Sequence, residues 1–206
     1  MIDSTQLRRS PAAHLAAAME AAEVAGERAV TLREVAFTTQ LGLRAVPGST
    51  GHAALAAATG VGLPAAVGEV AGDVSGTAVL WLGPDEFLLA AEENPALLDT
   101  LQGALGQEPG QVLDLSANRS VLQLEGPAAA LVLRKSCPAD LHPREFGVNR
   151  AITTSLANIP VLLWRTGEQS WRILPRASFT EHTVHWLIDA MSEFSAAEVA
   201  HHHHHH

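Results

Sequence analysis

The stretch "VLWLGPDEFLL", residues 79–89, decides how the rest of the chain is read. Two apolar runs flank Gly83-Pro84-Asp85-Glu86, where proline presets the φ of a turn and the acidic residues suit its solvated corner. A hairpin follows, with strands over 77–82 and 87–91. Alternation sends Val79 and Trp81 to one face of the sheet and Leu80 and Leu82 to the other. Both faces are apolar, so helices or a partner must cover both, and Trp81 is assigned to the core.

A second hairpin is written into "VLLWRTGEQSWRILP", residues 161–175, with strands over 160–165 and 170–174 around Thr166-Gly167. The segments around the two hairpins match. "AFTTQLGLRAV" (36–46) reads as a half-buried strand with Phe37, Leu41 and Leu43 on one side, ended by Pro47-Gly48. Ser49 or Thr50 then caps an alanine-rich helix that stops near Gly60. After the first hairpin, Asn94 caps a helix with Pro95 at its first position, Leu97, Leu98, Leu101 and Leu105 on one face, and Gly106 at its end. In the second half, "RSVLQLE" (119–125) is a strand, Gly126-Pro127 a break, and "AAALVLRK" a short helix ended before Pro138. Ser178 and Glu181 form an S-x-x-E capping box for a last helix carrying Val184, Leu187, Ile188 and Met191.

The order strand, helix, hairpin, helix thus occurs twice, roughly eighty residues apart. Trp81 falls opposite Trp164, and Phe87 opposite Trp171. Each unit is a ferredoxin-like βαββα without its final strand. Val112–Leu115 is placed to complete the first unit and "AVTLREV" (29–35) the second. The expected class is α+β, built from two intertwined βαββα units: an arm over 1–28, then one domain over 29–195 with pseudo-repeats of about 29–111 and 112–195. The histidines at 201–206 are an expression tag.

Ser10 can cap a short helix in the arm, with Pro11 at its first position and Leu15, Met19 and Ala22 on one side. Neither repeat needs this narrow stripe. Residues 1–25 are therefore expected to be mobile in the isolated chain and to order against a partner, which makes Leu15 and Met19 interface candidates. Trp164, Arg165, Trp171 and Arg172 join them, because Trp and Arg dominate subunit contacts.

Apolar residues make up 47% of the chain, enough for a sizeable core, and the single cysteine, Cys137, excludes an internal disulfide. Arg8-Arg9 before an alanine-rich run resembles a secretion signal, but Pro11, His14, Glu20 and Glu23 interrupt it. With no apolar stretch long enough to span a bilayer, the expected setting is the cytoplasm. Between Arg44 and Arg119 there are nine Asp and Glu and no Lys or Arg, whereas eight of the thirteen basic residues lie from Arg119 onward. The first half offers no basic stripe for nucleic acid. Any anionic ligand would prefer the second half.

The chemical motifs give no reaction centre. "GVGLPA" (60–65) has the glycine spacing of a dinucleotide loop but follows a helix and runs into Pro64. His182 and His185 lie one turn apart, but Asp189 and Glu193 continue the same solvated stripe, so no metal is assigned. Asp114 and Ser116 lack a nucleophile motif, Cys137 has no nearby basic partner except Arg134 and Lys135 and reads as a loop thiol, and Asp85-Glu86 and Glu92-Glu93 are turn and helix-approach residues. No catalytic residue is assigned.

Six stretches together, "RSPAAHL", "FTTQLGLRAVPG", "LWLGPDEFLL", "DLSANRSVLQLEGPAA", "PADLHPREF" and "RASFTEHTVHWLIDA", resemble the gamma subunit of heterotetrameric sarcosine oxidase. The resemblance covers roughly residues 10–194 in the expected order. The second half is also similar to the folate-binding fold of the T-protein N-terminal region: strand, Gly-Pro, helix, "PADL", hairpin, helix. The family implies an enzyme that demethylates sarcosine to glycine, reducing oxygen to hydrogen peroxide and releasing formaldehyde or forming methylene-tetrahydrofolate. It places FAD, covalent FMN, NAD and the folate site in the large subunits and zinc in the smallest. The gamma chain would carry no cofactor and would pack mainly on the alpha subunit, against its folate-binding half, with beta and delta as the other partners. Two alternatives are an independent folate-binding, aminomethyltransferase-like protein, using Asp114 for the ring and Arg119, Arg172 and Arg176 for an anionic tail, and a stand-alone scaffold.

Overall fold

The computed structural model describes residues 8–203, with side chains through Ser195. Residues 1–7 of the expected arm and 204–206 of the tag lie outside the described residues. The chain opens on a 3-10 turn, Ala13–Leu15, that runs into α1 (Ala16–Ala21), followed by β1 (Thr31–Glu34) and β2 (Thr39–Arg44). Ser49 caps α2 (Thr50–Thr59) by accepting from the His52 N–H at 3.2 Å, and Gly60 ends it at φ +77°, a left-handed cap that costs glycine nothing. The first hairpin comprises β4 (Ala78–Gly83) and β5 (Glu86–Ala91), preceded by the short β3 (Val70–Gly72). Asn94 accepts from the Ala96 N–H at the start of α3 (Ala96–Leu105).

The second half follows as β6 (Gln111–Asp114), β7 (Leu122–Glu125), α4 (Ala129–Arg134), β8 (Arg150–Leu156), β9 (Ile159–Gly167), β10 (Ser170–Pro175) and α5 (Thr180–His203). Ser178 lies inside a 3-10 turn, Ala177–Phe179, that leads straight into α5, and not at an N-cap, so the expected capping box is replaced by that turn. Among the described residues, no helix is long and apolar enough to cross a membrane.

The strands form two antiparallel five-stranded sheets, ordered β3-β4-β5-β2-β6 and β8-β9-β10-β7-β1. Written this way, the second order is the first repeated, strand for strand. β6, from the second half, pairs with β2 through Leu41–Asp114 and Leu43–Val112. β1, from the first half, pairs with β7 through Leu32–Leu124 and Glu34–Leu122. Each unit therefore borrows its closing strand from the other half. Where β7 ends, Gly126 lies at φ +127°, and a Cβ there would meet the Ala29 carbonyl oxygen at 2.2 Å. Only glycine lets the incoming first-half backbone pass this close.

Four layers result. Ala78, Leu80, Leu88 and Ala90 of the first sheet press on Val121, Ala151, Leu162, Trp164 and Leu174 of the second. The outer face of the first sheet packs Val79, Phe87 and Leu89 against Leu55, Leu101 and Leu105 of α2 and α3. The outer face of the second packs Leu122, Leu124, Leu163 and Trp171 against α1, α4 and α5. Both faces of the opening hairpin are covered, one by helices and the other by the second sheet.

Four further sequence expectations change. β3 and β8 extend each sheet to five strands; β3 is only three residues long and ends in Gly72, too short for an alternation to register. Phe37 is not part of the strand: it lies before β2 at φ +58° and is 43% exposed. Trp81 does not correspond to Trp164. The ladders pair Trp81 with Phe87 and Arg165 with Trp171, so Trp81 and Arg165 are counterparts on the outer faces, while Trp164 faces the inter-sheet seam. A slip of one residue moves a side chain to the opposite face.

The arm is the fourth. Ala12, Leu15 and Met19 are buried in the same core as Leu124, Leu187 and Met191. α1 packs beside β1 and α5, so the stripe belongs to this chain's own fold. Amides of Leu15 to Ala22 should therefore be strongly protected from hydrogen exchange in the free chain; exchange at unfolded-chain rates would show the packing to be transient. A cut after Glu108, in the loop before β6, should leave one native particle on gel filtration that separates only in denaturant. Halves that part and stay folded would contradict the strand exchange.

Candidate functional site

Residues 114–121 carry the chain from the first sheet to the second, and two surface hollows meet at this crossover. The Leu115 N–H donates to the Gln40 carbonyl at 2.8 Å, still in register with β2. Asp114 then accepts from the Ser116 N–H at 3.0 Å, and the Ser116 hydroxyl and N–H beside it hold its carboxyl below the ordinary aspartate range. The buried Gln40 amide donates to the Arg119 carbonyl at 3.0 Å, which fixes where Arg119 leaves the crossover.

A cleft of about 420 Å³ lies on one side of Arg119, lined by Arg8, Ser10, Glu34, Phe37 and Glu93 among others. The arm forms its wall: the Arg8 guanidinium lies 3.9 Å above the Phe37 ring centre and 2.5 Å from Glu93. Glu34 accepts from the Ser10 hydroxyl and from the Ala12 N–H at 3.1 Å. Both carboxylates of the cleft are thus engaged in holding the arm. A bulky residue at positive φ carries about 1–3 kcal/mol of strain, and at Phe37 the Arg8 contact is what sits over the strained residue.

On the other side of Arg119 is a smaller hollow of about 130 Å³, whose lining includes Arg44, Glu86, Leu113, Leu115 and Arg176. Arg119 and Arg176 are brought together by an isolated antiparallel bridge. Asp114 and Arg172, the other two residues considered for a folate, line neither space. Arg172 projects beside Trp164, 5.8 Å from its ring centre; burial first, and Arg33 second, push it below the ordinary arginine value. Its Nε is buried without a partner. The four residues do not converge on one ligand. Among the described residues, no group of three or more His, Cys, Asp or Glu is placed to hold a metal ion. His14 and His185 approach the same Glu181 oxygen at 3.6 and 3.7 Å, on the exposed flank of α5.

The expected interface residues are corrected by their burial. Trp164 and Trp171 are each 1% exposed, Arg165 8%, Leu15 7% and Met19 3%. Trp164 fills the seam and donates from Nε1 to Asn149 at 3.1 Å. Arg165 donates to the carbonyls of Phe146 and Glu168, both at 2.8 Å, and lies against Trp171. Their surface already serves this chain's core, so none of the five can present a face to a partner; Arg172 alone of the six is partly open. Sequence reasoning did not find Arg44, Glu86 or the Arg8–Phe37–Glu93 wall. The arginine-rich second half pointed toward the hollow, but no pattern linked Arg44 to it.

Comparison with known proteins now adds to the geometry. Residues 45–193 match the family described as sarcosine oxidase, gamma subunit family. The chain is 74% identical over 200 residues to the sarcosine oxidase subunit gamma of an Arthrobacter species, spanning 97% of this chain and 98% of that one. It is also 74% identical over 200 residues to the subunit gamma of Corynebacterium sp. (strain P-1), with the same 97% and 98% coverage. Among solved structures, it is similar to the glycine cleavage system aminomethyltransferase T from Bartonella henselae, with a TM-score of 0.57 and 18% identity over 77% of this chain and 45% of that one. That likeness is one of fold, and it agrees with the T-protein-like fold expected from the sequence.

Replacing Trp164 by alanine should destabilise the isolated chain by about 3–5 kcal/mol, because a buried indole leaves a cavity and orphans the Asn149 oxygen. Urea unfolding measures it. A loss below about 1 kcal/mol, the range of surface substitutions, would mean that the indole is not a core element.

Proposed function

The chain belongs to the sarcosine oxidase gamma subunit family, and on that premise we propose that it is a non-catalytic subunit of a heterotetrameric sarcosine oxidase. The observation that carries this is the 74% identity extending over 97% of the chain and 98% of its relative. In this reading the holoenzyme, located in the cytoplasm, converts sarcosine to glycine with reduction of oxygen to hydrogen peroxide. The one-carbon unit leaves as formaldehyde or as methylene-tetrahydrofolate. FAD, FMN, NAD, tetrahydrofolate and zinc reside on the alpha, beta and delta subunits, and this chain packs mainly on the folate-binding half of alpha.

The chemistry of the chain's own surface supports that division of labour. The two carboxylates of the cleft beside Phe37 already bind the arm through Arg8, Ser10 and the Ala12 N–H. A general acid or base must be within hydrogen-bonding reach of a substrate proton, and neither group is offered to one. Arg165, which has the guanidinium and the aromatic neighbour that an anion site could use, donates inward to two backbone carbonyls. What this chain contributes is a four-layer body with a shaped, arginine-bearing surface.

Untagged chain purified from its own cells should bring down a flavoprotein of the oxidase, identified by mass spectrometry. The chain alone, with the tag removed, should show no flavin absorption and no sarcosine turnover. Turnover by the isolated chain, or recovery without any flavoprotein, would overturn the proposal.

A further inference from the structure

Arg119 and Arg176 face each other across an isolated antiparallel bridge. The flanking bonds run from the Ser120 N–H to the Pro175 carbonyl (3.1 Å) and from the Ala177 N–H to the Asn118 carbonyl (2.9 Å), so the two arginines form the non-hydrogen-bonded type of pair. In that type the opposed side chains leave the backbone on one face and at their closest spacing. Like charges so placed are destabilising. The chain does little to relieve them. Glu86 lies 3.6 Å from the Arg44 guanidinium, and neither Arg119 nor Arg176 has a side-chain hydrogen bond or ion pair with a described residue. Burial and Arg176 together hold Arg119 below the ordinary arginine value, against a smaller pull from Glu86.

The hollow onto which they open, at about 130 Å³, is below the roughly 300–1,000 Å³ of metabolite pockets. It has room for a carboxylate group on the end of a side chain. Its rim includes Leu113, 46% exposed, on β6 at the free edge of the first sheet. Three arginines and one carboxylate thus surround an apolar rim in a chain whose formal net charge is −9. Charge of this sign, against the trend of the whole molecule, attracts and orients an acidic partner.

We propose that the hollow between β6 and the Arg119–Arg176 pair is a docking site for a carboxylate-bearing segment of another subunit of the same oxidase. An Asp or Glu from that segment enters between the two guanidiniums, each of which can donate two parallel hydrogen bonds, and apolar residues beside it cover Leu113. The like-charge pair, unfavourable in the free chain, becomes the recognition element in the assembly. This rests on the subunit reading above.

The test is assembly of the full chain with the other oxidase subunits, followed by co-purification and by affinity at rising salt. Wild type, R119Q/R176Q, R119E/R176E and a control reversal on the outer helical layer, R134E, are compared. Charge reversal should weaken association by about a hundredfold and the glutamine pair by at least about tenfold, with R134E unchanged. The glutamine pair should also lose most of the salt dependence shown by wild type. Free R119Q/R176Q should melt at or above the wild-type temperature, because a repulsive pair has been removed. Unchanged assembly of R119E/R176E beside a wild type that assembles normally would overturn the proposal and leave the subunit reading intact. A wild type that never assembles would sink both. Lower stability of free R119Q/R176Q would assign the arginines to the chain's own fold, and saturable binding of free succinate by the isolated chain with unchanged assembly would make this a small-anion site; either result overturns the docking role.

Discussion

The apolar seam between the two sheets is the contact on which the rest of the structure depends. Leu80 and Leu88 from one sheet meet Leu162, Trp164 and Leu174 from the other, with each of these side chains 3% exposed or less. Sheets that pack face to face interdigitate their inner side chains over about 10 Å, so the seam has room for one large residue where its opposite number is small. Trp164 is that residue, and Ala78, Ala90 and Ala151 are among the small ones in the same cluster. With the inner faces joined, each outer face must find its own cover, and the helices go to the outside.

The seam also explains the exchange of strands. A βαββα unit leaves one edge of its sheet bare, and a bare edge invites pairing with other chains. Here β6 and β1 cover those edges and become the outermost strands themselves, each supplied by the half whose sheet lies across the seam. The exchange forces the chain to cross from one sheet to the other between Asp114 and Val121, and that crossover is what places Arg119 at the surface junction. Gln40, 1% exposed on β2, fixes it there by donating to the Arg119 carbonyl. The arginine-bearing surface thus follows from the topology.

Aromatic residues are scarce here: four tryptophans, five phenylalanines and no tyrosine. A four-layer body needs bulk in two outer cores and a seam, and the structure uses Trp164, Trp171, Phe87, Phe146 and Phe194 for that purpose. This is why the residue types most common at subunit contacts mislead in this chain. Arg165 follows Trp171 inside, with its two terminal nitrogens donating to backbone carbonyls and its Nε buried without a partner. The charged residues that remain outward, among them Arg44 and Arg176, carry the recognition chemistry.

The sequence by itself determined the local elements and their repetition. Gly-Pro-Asp-Glu made the first hairpin, Ser49 and Gly60 bounded α2, Asn94 opened α3, and Val184, Leu187 and Met191 marked the buried stripe of α5, because caps, turns and periodicity are encoded within a few residues. The repeated order was enough to place 29–35 and 112–115 at the open edges. Tertiary structure alone decided register and sidedness. Whether Trp164 faces the seam or a helix turns on a single residue of offset, and irregular pairing beside Trp81 and Trp171 absorbs that offset without any mark in composition. It also decided that Leu15 and Met19 pack inward, since a short alanine-rich helix reads the same whether its cover is its own sheet or a partner. And it decided the meeting of Arg119 with Arg176: residues far apart in sequence become neighbours only when two strands share a bridge, a long-range pairing that no local pattern specifies.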